Sequence, residues 1–222
     1  GLAGPAEGEV LRVHLAEGAA ATVRAEHGVG LLGDVRAEHL ADLTGARVTY
    51  TYGRIGGLAR DLPEGWLKRL DEILEQYEDF VGRIHGLMDR NRIFIDRTRN
   101  IGMISAADAI NWGFTGPILR STGYAWDLRR DDPYLAYDQV DFDVIVGSYG
   151  DCFDRYAIRL AEIRESIRIV RQILDKMPDG DYRSQDKKVT PPPRARIDES
   201  MEALIHHFKI FTEGFKVPEG EV

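Results

Sequence analysis

Cysteine is almost absent from this chain of 222 residues, which contains only Cys152. One thiol cannot form a disulfide framework, a four-cysteine iron–sulfur site or a zinc ribbon within the chain, and it fits a reducing compartment. An excess of positive charge is also absent, since the chain has 29 Lys and Arg residues, 37 Asp and Glu residues and a formal net charge of -8. Because nucleic-acid-binding surfaces are basic, this balance argues against a nucleic-acid partner.

Long apolar runs are missing as well. No stretch of the chain approaches the roughly 18 uncharged apolar residues of a membrane-spanning helix, and the start shows no basic segment followed by an apolar run. We therefore predict no transmembrane segment and no signal peptide. The chain does not begin with methionine and its end is abrupt, so we expect both ends to be cuts in a longer sequence.

Residues 1–33 differ in composition from the rest of the chain. They contain no lysine and no aromatic residue, and the first aromatic side chain is that of Tyr50. The sequence G-V-G-L-L-G at 28–33 has the spacing of a nucleotide-binding loop, but residues 19–27 before it are small and charged instead of forming a buried parallel strand. We interpret residues 1–33 as a glycine- and alanine-rich tail and residues 34–222 as one domain.

Two long stripes of apolar residues with helical spacing dominate the remaining sequence. In the first stripe, the apolar residues recur at alternating steps of three and four, a period that a strand cannot produce. Asp151 suits a helix start and Met-Pro-Asp-Gly at 177–180 suits a helix end, so we predict a helix over residues 150–177. The stripe contains Phe153, Tyr156, Leu160, Ile163, Ile167, Val170, Leu174 and Met177, and it is widened by Ile158, Ile169 and Ile173.

The second stripe steps by four and three from Trp66 to Leu87 and predicts a helix from Pro63 to about Asp89. Because both stripes have a coiled-coil-like period, we expect the two helices to pack side by side at a shallow angle. The residues thus predict a mainly α fold, a helical bundle with short strands. The shorter predicted elements are helices at 34–46, 105–112 and 200–214, a short helix or turn at 91–100, strands at 48–52 and 140–146, a loop at 116–134 and a linker at 179–193.

Chemical motifs are few. His206 and His207 are adjacent, so on a helix they point about 100° apart and cannot both ligate one metal ion. Cys152 lies on the apolar flank of the predicted helix and has no histidine nearby in sequence, so we expect a buried structural thiol. The chain contains no nucleophile elbow and no phosphate-binding loop, and the residues alone indicate no self-contained active site.

One arginine stands out by its neighbours. Arg54 lies among Gly53, Gly56 and Gly57, where a guanidinium could closely approach a carboxylate, a partner backbone or a cofactor. An ordinary turn with a surface arginine is the other interpretation.

From about Leu43 onward the chain resembles the D-type subunit of NADH:quinone oxidoreductase, respiratory complex I, which is the 49 kDa subunit in mitochondria. Eight blocks carry the resemblance, in order and without large gaps, over roughly four-fifths of the chain. The blocks are LTGAR at 43–47, RIGG at 54–57 with DLPEG at 61–65, NRIFIDRT at 91–98, GFTGPILR at 113–120, WDLRR at 126–130, PYLAY at 133–137, DCFDRY at 151–156, and SMEALIHHFK at 200–209 with TEG at 212–214.

The resemblance implies a central fragment of that subunit, with an incomplete fold similar to the large subunit of nickel-iron hydrogenases. It implies a part in the quinone-reducing module, where electrons pass from NADH through iron–sulfur clusters to quinone and drive proton translocation. The implied partners are other complex I subunits, especially the B-type cluster subunit and the C-type subunit, and quinone. The implied location is peripheral, on the cytoplasmic side of the bacterial inner membrane or the mitochondrial matrix side.

The resemblance also implies which groups the chain holds. We expect no cofactor, metal or catalytic residue in this chain itself, with quinone and a partner-held 4Fe-4S cluster present in the assembled complex. Arg54 matches an arginine that faces this cluster, and it is the candidate site residue. Arg120, Asp127 and Arg129 match a central loop in which we expect structural salt bridges, and Thr49 stands where many relatives have a histidine.

Several departures from the family pattern limit the expected activity. Family members begin with a β-rich region whose histidine and tyrosine hold the quinone head group, and nothing in residues 1–33 resembles it. The C-terminal part that also lines the quinone chamber would lie beyond Val222, so we expect the chain by itself to be inactive. The alternatives are the large subunit of a related membrane-bound hydrogenase-type complex, against which the missing Cys-x-x-Cys pairs count, and a helical interaction fragment without redox function.

Overall fold

Two long helices, α2 and α7, form the centre of the fold. A computed structural model describes residues 30–214 except residues 55 and 188, with side chains described from residue 37 onward. The helices are α1 Gly30–Thr44, α2 Trp66–Met88, α3 Arg92–Thr98, α4 Ala106–Asn111, α5 Gly116–Ser121, α6 Leu128–Asp131, α7 Cys152–Lys176, α8 Arg194–Ile197 and α9 Met201–Thr212, and the strands are β1 Gly53–Arg54 and β2 Gly57–Leu58. The mainly α prediction is confirmed.

Helix α2 packs on α7 as the two stripes predicted, while the shallow angle between the two helices stays a prediction. Leu70 and Leu74 of α2 form one buried cluster with Ile167 and Val170 of α7. The stripe on α2 is longer than this contact, because Leu87 near the end of the helix is 70% exposed. Burial of each large aliphatic side chain contributes about 1.5–3 kcal/mol, so this cluster is a main source of stability.

The widened stripe on α7 allows the helix to bury a second face. Ile169 and Ile173 pack in a separate cluster with Phe142 and Tyr137, and both Phe142 and Ile169 are fully buried. Tyr137 belongs to a short 3₁₀ helix, Tyr137–Gln139, which comes just before Phe142 in the chain. A helix that is covered on two sides needs the broad apolar surface that the sequence provides.

The predicted strand at 140–146 is wrong, although its alternation is real. Val140 and Phe142 are buried and Asp141 is exposed, but the segment joins no sheet in the described part of the chain. Its backbone bonds to side chains of α7 instead: the amide of Asp141 donates to Gln172 Oε1 at 2.8 Å, and the amide of Asp143 donates to Glu165 Oε2 at 2.9 Å. Alternating burial therefore arose here from packing against a helix, not from strand pairing.

The predicted strand at 48–52 is also wrong. Val48 is 78% exposed, and only Tyr52 in this segment is buried, with its hydroxyl donating to the carbonyl of Arg60 at 3.0 Å. The sheet found among the described residues lies just downstream and consists of β1 and β2, two residues each. The β-branched and aromatic composition of 48–52 did not suffice without a partner strand, since strand propensity depends on packing.

Helix caps agree with the sequence more closely than loops do. Ser105 caps α4 by accepting a hydrogen bond from the amide of Asp108 at 3.1 Å, and Ser200 caps α9.

The loop predicted at 116–134 is wrong in detail, because it contains the short helices α5 and α6. Helix α1 begins at Gly30, four residues before the predicted start, while residues 1–29 of the predicted tail lie outside the described residues. Of the helices described, none has the length and apolarity to cross a membrane.

Candidate functional site around Arg54

The hairpin of β1 and β2 places Arg54 at a fixed position on the surface. Gly53 pairs with Leu58 and Arg54 with Gly57. A downstream segment anchors the hairpin, since the amide of Leu58 donates to the carbonyl of Tyr182 at 2.9 Å. The strand pairing and the contact with Tyr182 therefore hold Arg54 and Gly57 in position.

Gly57 explains why the hairpin can lie so close to that segment. Its φ of +130° is a conformation that side-chain-bearing residues rarely adopt, and a Cβ atom built there would lie 2.5 Å from the carbonyl oxygen of Tyr182. The same strand edge is completed by an isolated bridge between Gly57 and Arg183. A glycine is thus required at this position by the close approach of two backbones, independently of any ligand.

The guanidinium of Arg54 is available to a partner molecule. The residue is exposed, and its Nε donates only a long hydrogen bond, 3.5 Å, to the carbonyl of Thr51. Within the described residues, no carboxylate forms an ion pair with Arg54. A fixed backbone with an unpaired, exposed guanidinium is suited to binding an anionic group from outside the chain. Thr49, five residues earlier, is also exposed.

Arg120, Asp127 and Arg129 form the buried ion pairs that the sequence led us to expect. Arg129 Nη2 lies 2.7 Å from Asp127 Oδ2, and Arg120 Nη1 lies 3.8 Å from the same oxygen. Burial of Asp127 acts to raise the pKa of its carboxyl, but the hydrogen bonds and charge of Arg129 and the charge of Arg120 outweigh this effect, so the pKa is lowered. The carboxylate is therefore ionised in its buried position and serves to join α5 to α6.

Glu162 completes this network, and the sequence did not identify it. Its Oε1 accepts a hydrogen bond from Arg120 Nη2 at 2.5 Å, while Arg120 Nη1 donates to the carbonyl of Trp126 at 3.0 Å. Glu162 does not belong to the apolar stripe of α7, yet its side chain is only 20% exposed. The signal is absent from the local sequence because Arg120 and Glu162 are 42 residues apart.

Cys152 and the histidines form no metal centre in the described part of the chain. Cys152, the first residue of α7, is half-buried, and Arg155 Nη2 lies 3.1 Å from its sulfur. The thiol is therefore less buried than the predicted buried structural thiol. His206 Nε2 lies 3.6 Å from Glu202 Oε1 on the same helix, a distance that indicates a weak surface contact.

Comparison with known proteins identifies relatives of most of the chain. The family model for respiratory-chain NADH dehydrogenase, 49 kDa subunit, matches residues 34–222. A protein of Pelobacter propionicus, by name a D-type subunit of NADH-quinone oxidoreductase, is 55% identical over 185 residues, which are 83% of this chain and 46% of the relative. The protein of the same name from Rhodospirillum rubrum is 50% identical over 195 residues, 86% of this chain and 50% of the relative. The chain thus spans about half the length of these curated relatives.

Proposed function

The chain belongs to the family of the 49 kDa subunit of respiratory-chain NADH dehydrogenase, and from this membership we propose that it is part of the quinone-reducing module of NADH:quinone oxidoreductase. In that module electrons pass from NADH through iron–sulfur clusters to quinone, coupled to proton translocation. The proposal rests on the family match over residues 34–222 and on the names of the relatives. The chain acts there as a subunit and not as an enzyme by itself.

The proposed partners are the B-type cluster subunit, the C-type subunit and quinone. The single cysteine supports an arrangement in which a partner ligates the 4Fe-4S cluster, because such a cluster needs four ligands, usually thiolates. We place the chain peripherally, on the cytoplasmic side of the bacterial inner membrane or on the mitochondrial matrix side. A fold similar to the large subunit of nickel-iron hydrogenases is part of the same proposal.

We assign Arg54 the role of facing the cluster of the B-type subunit. What supports this role is the exposed guanidinium on a backbone fixed by the hairpin, which makes no ion pair in the described residues. A positive charge near a cluster stabilises its reduced, more negative state electrostatically. Arg54 would therefore raise the reduction potential of the cluster without ligating it.

The subunit assignment is tested by co-expression of the 222-residue chain with a B-type and a C-type subunit. The expected result is a stable complex in which the chain elutes with the B-type subunit and its cluster, detected by electron paramagnetic resonance. The full-length relative from Pelobacter propionicus serves as the positive control. If that relative retains the partners and the present chain elutes alone, the proposed assembly is wrong.

The role of Arg54 is tested in the same complex with Arg54→Gln and the control Arg60→Gln, which changes an exposed arginine just beyond β2. Loss of the Arg54 charge should lower the midpoint potential of the cluster by about a few tens of millivolts, while Arg60→Gln should leave it nearly unchanged. Potentiometric titration measures the difference. Equal potentials in Arg54→Gln and the unmodified complex would contradict this role while leaving the subunit assignment intact.

A further inference from the structure

A second site is indicated by a pocket of about 270 Å³ between residues 184–187 and 189–193, which include a turn, and the first half of α9. It lies on a different segment from the β1–β2 hairpin, and the proposed role of Arg54 does not use it. Its lining includes three side chains that carry or can carry positive charge, Lys187, Arg196 and His206, and one carboxylate, Glu202. The pocket therefore has an excess of basic groups in a chain whose net charge is -8.

The pocket wall is held in place by local hydrogen bonds and by proline. Thr190 Oγ1 donates to the carbonyl of Ser184 at 2.8 Å, and the amide of Thr190 donates to the carbonyl of Asp186 at 2.9 Å. Residues 191–193 are three consecutive prolines, which have fixed φ angles and no backbone N–H groups. Because this wall offers few backbone donors, a polar ligand must be recognised by the side chains.

The basic side chains of the pocket make only long contacts with carboxylates in the described part of the chain. Lys187 Nζ and His206 Nε2 lie 3.7 Å and 3.6 Å from Glu202 Oε1, longer than hydrogen bonds. Arg196 is exposed and makes no ion pair among the residues that the structure describes. One carboxylate is thus shared by two basic groups, and the Arg196 guanidinium, which lines the same pocket, has no carboxylate partner in the described part of the chain.

We propose that this pocket binds a small oxyanion, the phosphate or carboxylate group of a small molecule. Arg196 presents a planar set of N–H donors that matches two oxygens of such a group, and Lys187 adds a mobile positive charge. Glu202 lies 3.7 Å from Lys187 and 3.6 Å from His206 and offsets part of the positive charge of the pocket. The pocket volume suits a compact group and not a polyanionic chain.

The test is a titration of the ¹⁵N-labelled 222-residue chain with sodium phosphate and, separately, sodium succinate, with sodium chloride at equal ionic strength as the reference. Site binding should give saturable amide shifts confined to residues 184–206. Saturation by phosphate alone identifies a phosphate ligand, saturation by succinate alone identifies a carboxylate ligand, and saturation by both identifies a general oxyanion site. Shifts that do not saturate with either salt beyond the chloride reference would overturn the proposal.

Arg196→Gln and Arg194→Gln form a matched pair for the same titration. Both arginines are exposed and belong to α8, but only Arg196 lines the pocket. The expected result is about fivefold weaker binding in Arg196→Gln and a change of less than about twofold in Arg194→Gln, in line with the modest strength of exposed charge contacts. Equal weakening in both variants would mean diffuse attraction to a basic surface and would refute the pocket. Thermal unfolding of each variant confirms that the fold is retained.

Discussion

The imidazole of His39 is only 2% exposed and stacks on the indole of Trp66, with the ring centroids 4.2 Å apart. Neither of its ring nitrogens has a hydrogen-bond partner in the described part of the chain. Burial, together with the positive charge of Arg69, lowers the pKa of His39 to about 4, although the charge of Asp42 acts in the opposite direction. The residue is therefore neutral in the folded chain at neutral pH.

This shift predicts that acid destabilises the fold through His39. The unfolded chain takes up the proton below a pKa of about 6.5 and the folded chain only near 4, so stability is full above pH 6.5 and declines as the pH falls towards 4. Between pH 7 and pH 5 the loss should be about 2 kcal/mol, measured by urea unfolding. His39→Leu should remove most of this dependence, while exposed His85→Gln should keep it. An equal loss in wild type and His39→Leu would contradict the assignment.

A second prediction at the residue scale compares two glycines. Gly57→Ala should destabilise the chain by about 2–3 kcal/mol, because its φ is +130° and the new Cβ would meet the Tyr182 carbonyl oxygen at 2.5 Å. Gly82→Ala, in the exposed interior of α2 with open space around it, should stabilise by about 0.5–1 kcal/mol. Thermal unfolding of both variants gives the comparison. Similar effects of the two changes would show that the hairpin contact is not tight.

At the scale of elements, the Arg120–Glu162 pair ties α5 to α7 through a contact that is largely buried. Glu162→Gln should cost about 2–4 kcal/mol, because it leaves the Arg120 guanidinium, 9% exposed, without its closest carboxylate. The control is Asp79→Asn, which removes a pair with Arg83 that is about 70% exposed on both sides and should cost less than about 0.5 kcal/mol. Denaturant unfolding measures both. A small effect of Glu162→Gln would mean that Asp127 alone satisfies Arg120.

The long helices could be predicted from sequence because their signal is local and repeated. Seven apolar positions of the stripe lie in α7 and the eighth, Met177, follows its last residue, so the helix is specified before any tertiary contact is known. The segment at 140–146 also had a period, but alternation reports only which side chains are buried. It cannot say whether the backbone pairs with a strand or with the side chains of Gln172 and Glu165. Arg54 was singled out by its glycines, but its anchor at Tyr182 lies over 120 residues away and has no local signal.

For the molecule as a whole, α9 matters because it exposes four large apolar side chains. Met201, Ile205, Phe208 and Phe211 lie at helical spacing and are 73%, 49%, 57% and 67% exposed. Contiguous apolar surface of this kind promotes association in water. The family resemblance predicted from the sequence agrees with the family match over residues 34–222. The similarity of the complete fold to the hydrogenase large subunit stays a prediction.

The exposed face of α9 predicts that the isolated chain self-associates. Phe208→Gln combined with Phe211→Gln should shift the chain towards the monomer, because two exposed aromatic rings are removed. The polar-face control is Lys209→Gln, an exposed position on the same helix, which should leave the association unchanged. Size-exclusion chromatography with light scattering across a wide concentration range distinguishes the variants. A monodisperse monomer in the unmodified chain at every concentration would contradict the prediction.

The segment around Phe142 affects the hydrogen exchange of the molecule and the order in which its parts fold. The amides of Asp141 and Asp143 belong to no helix or sheet, yet side chains of α7 that lie 31 and 22 residues further along the chain hold them. Their exchange with solvent deuterium should therefore be slower than that of unbonded loop amides, because the side chain of Gln172 or Glu165 must first release each of them. During folding, Asp141 and Asp143 can gain these hydrogen bonds only after α7 has formed. Protection of their two amides from exchange therefore reports the formation of α7.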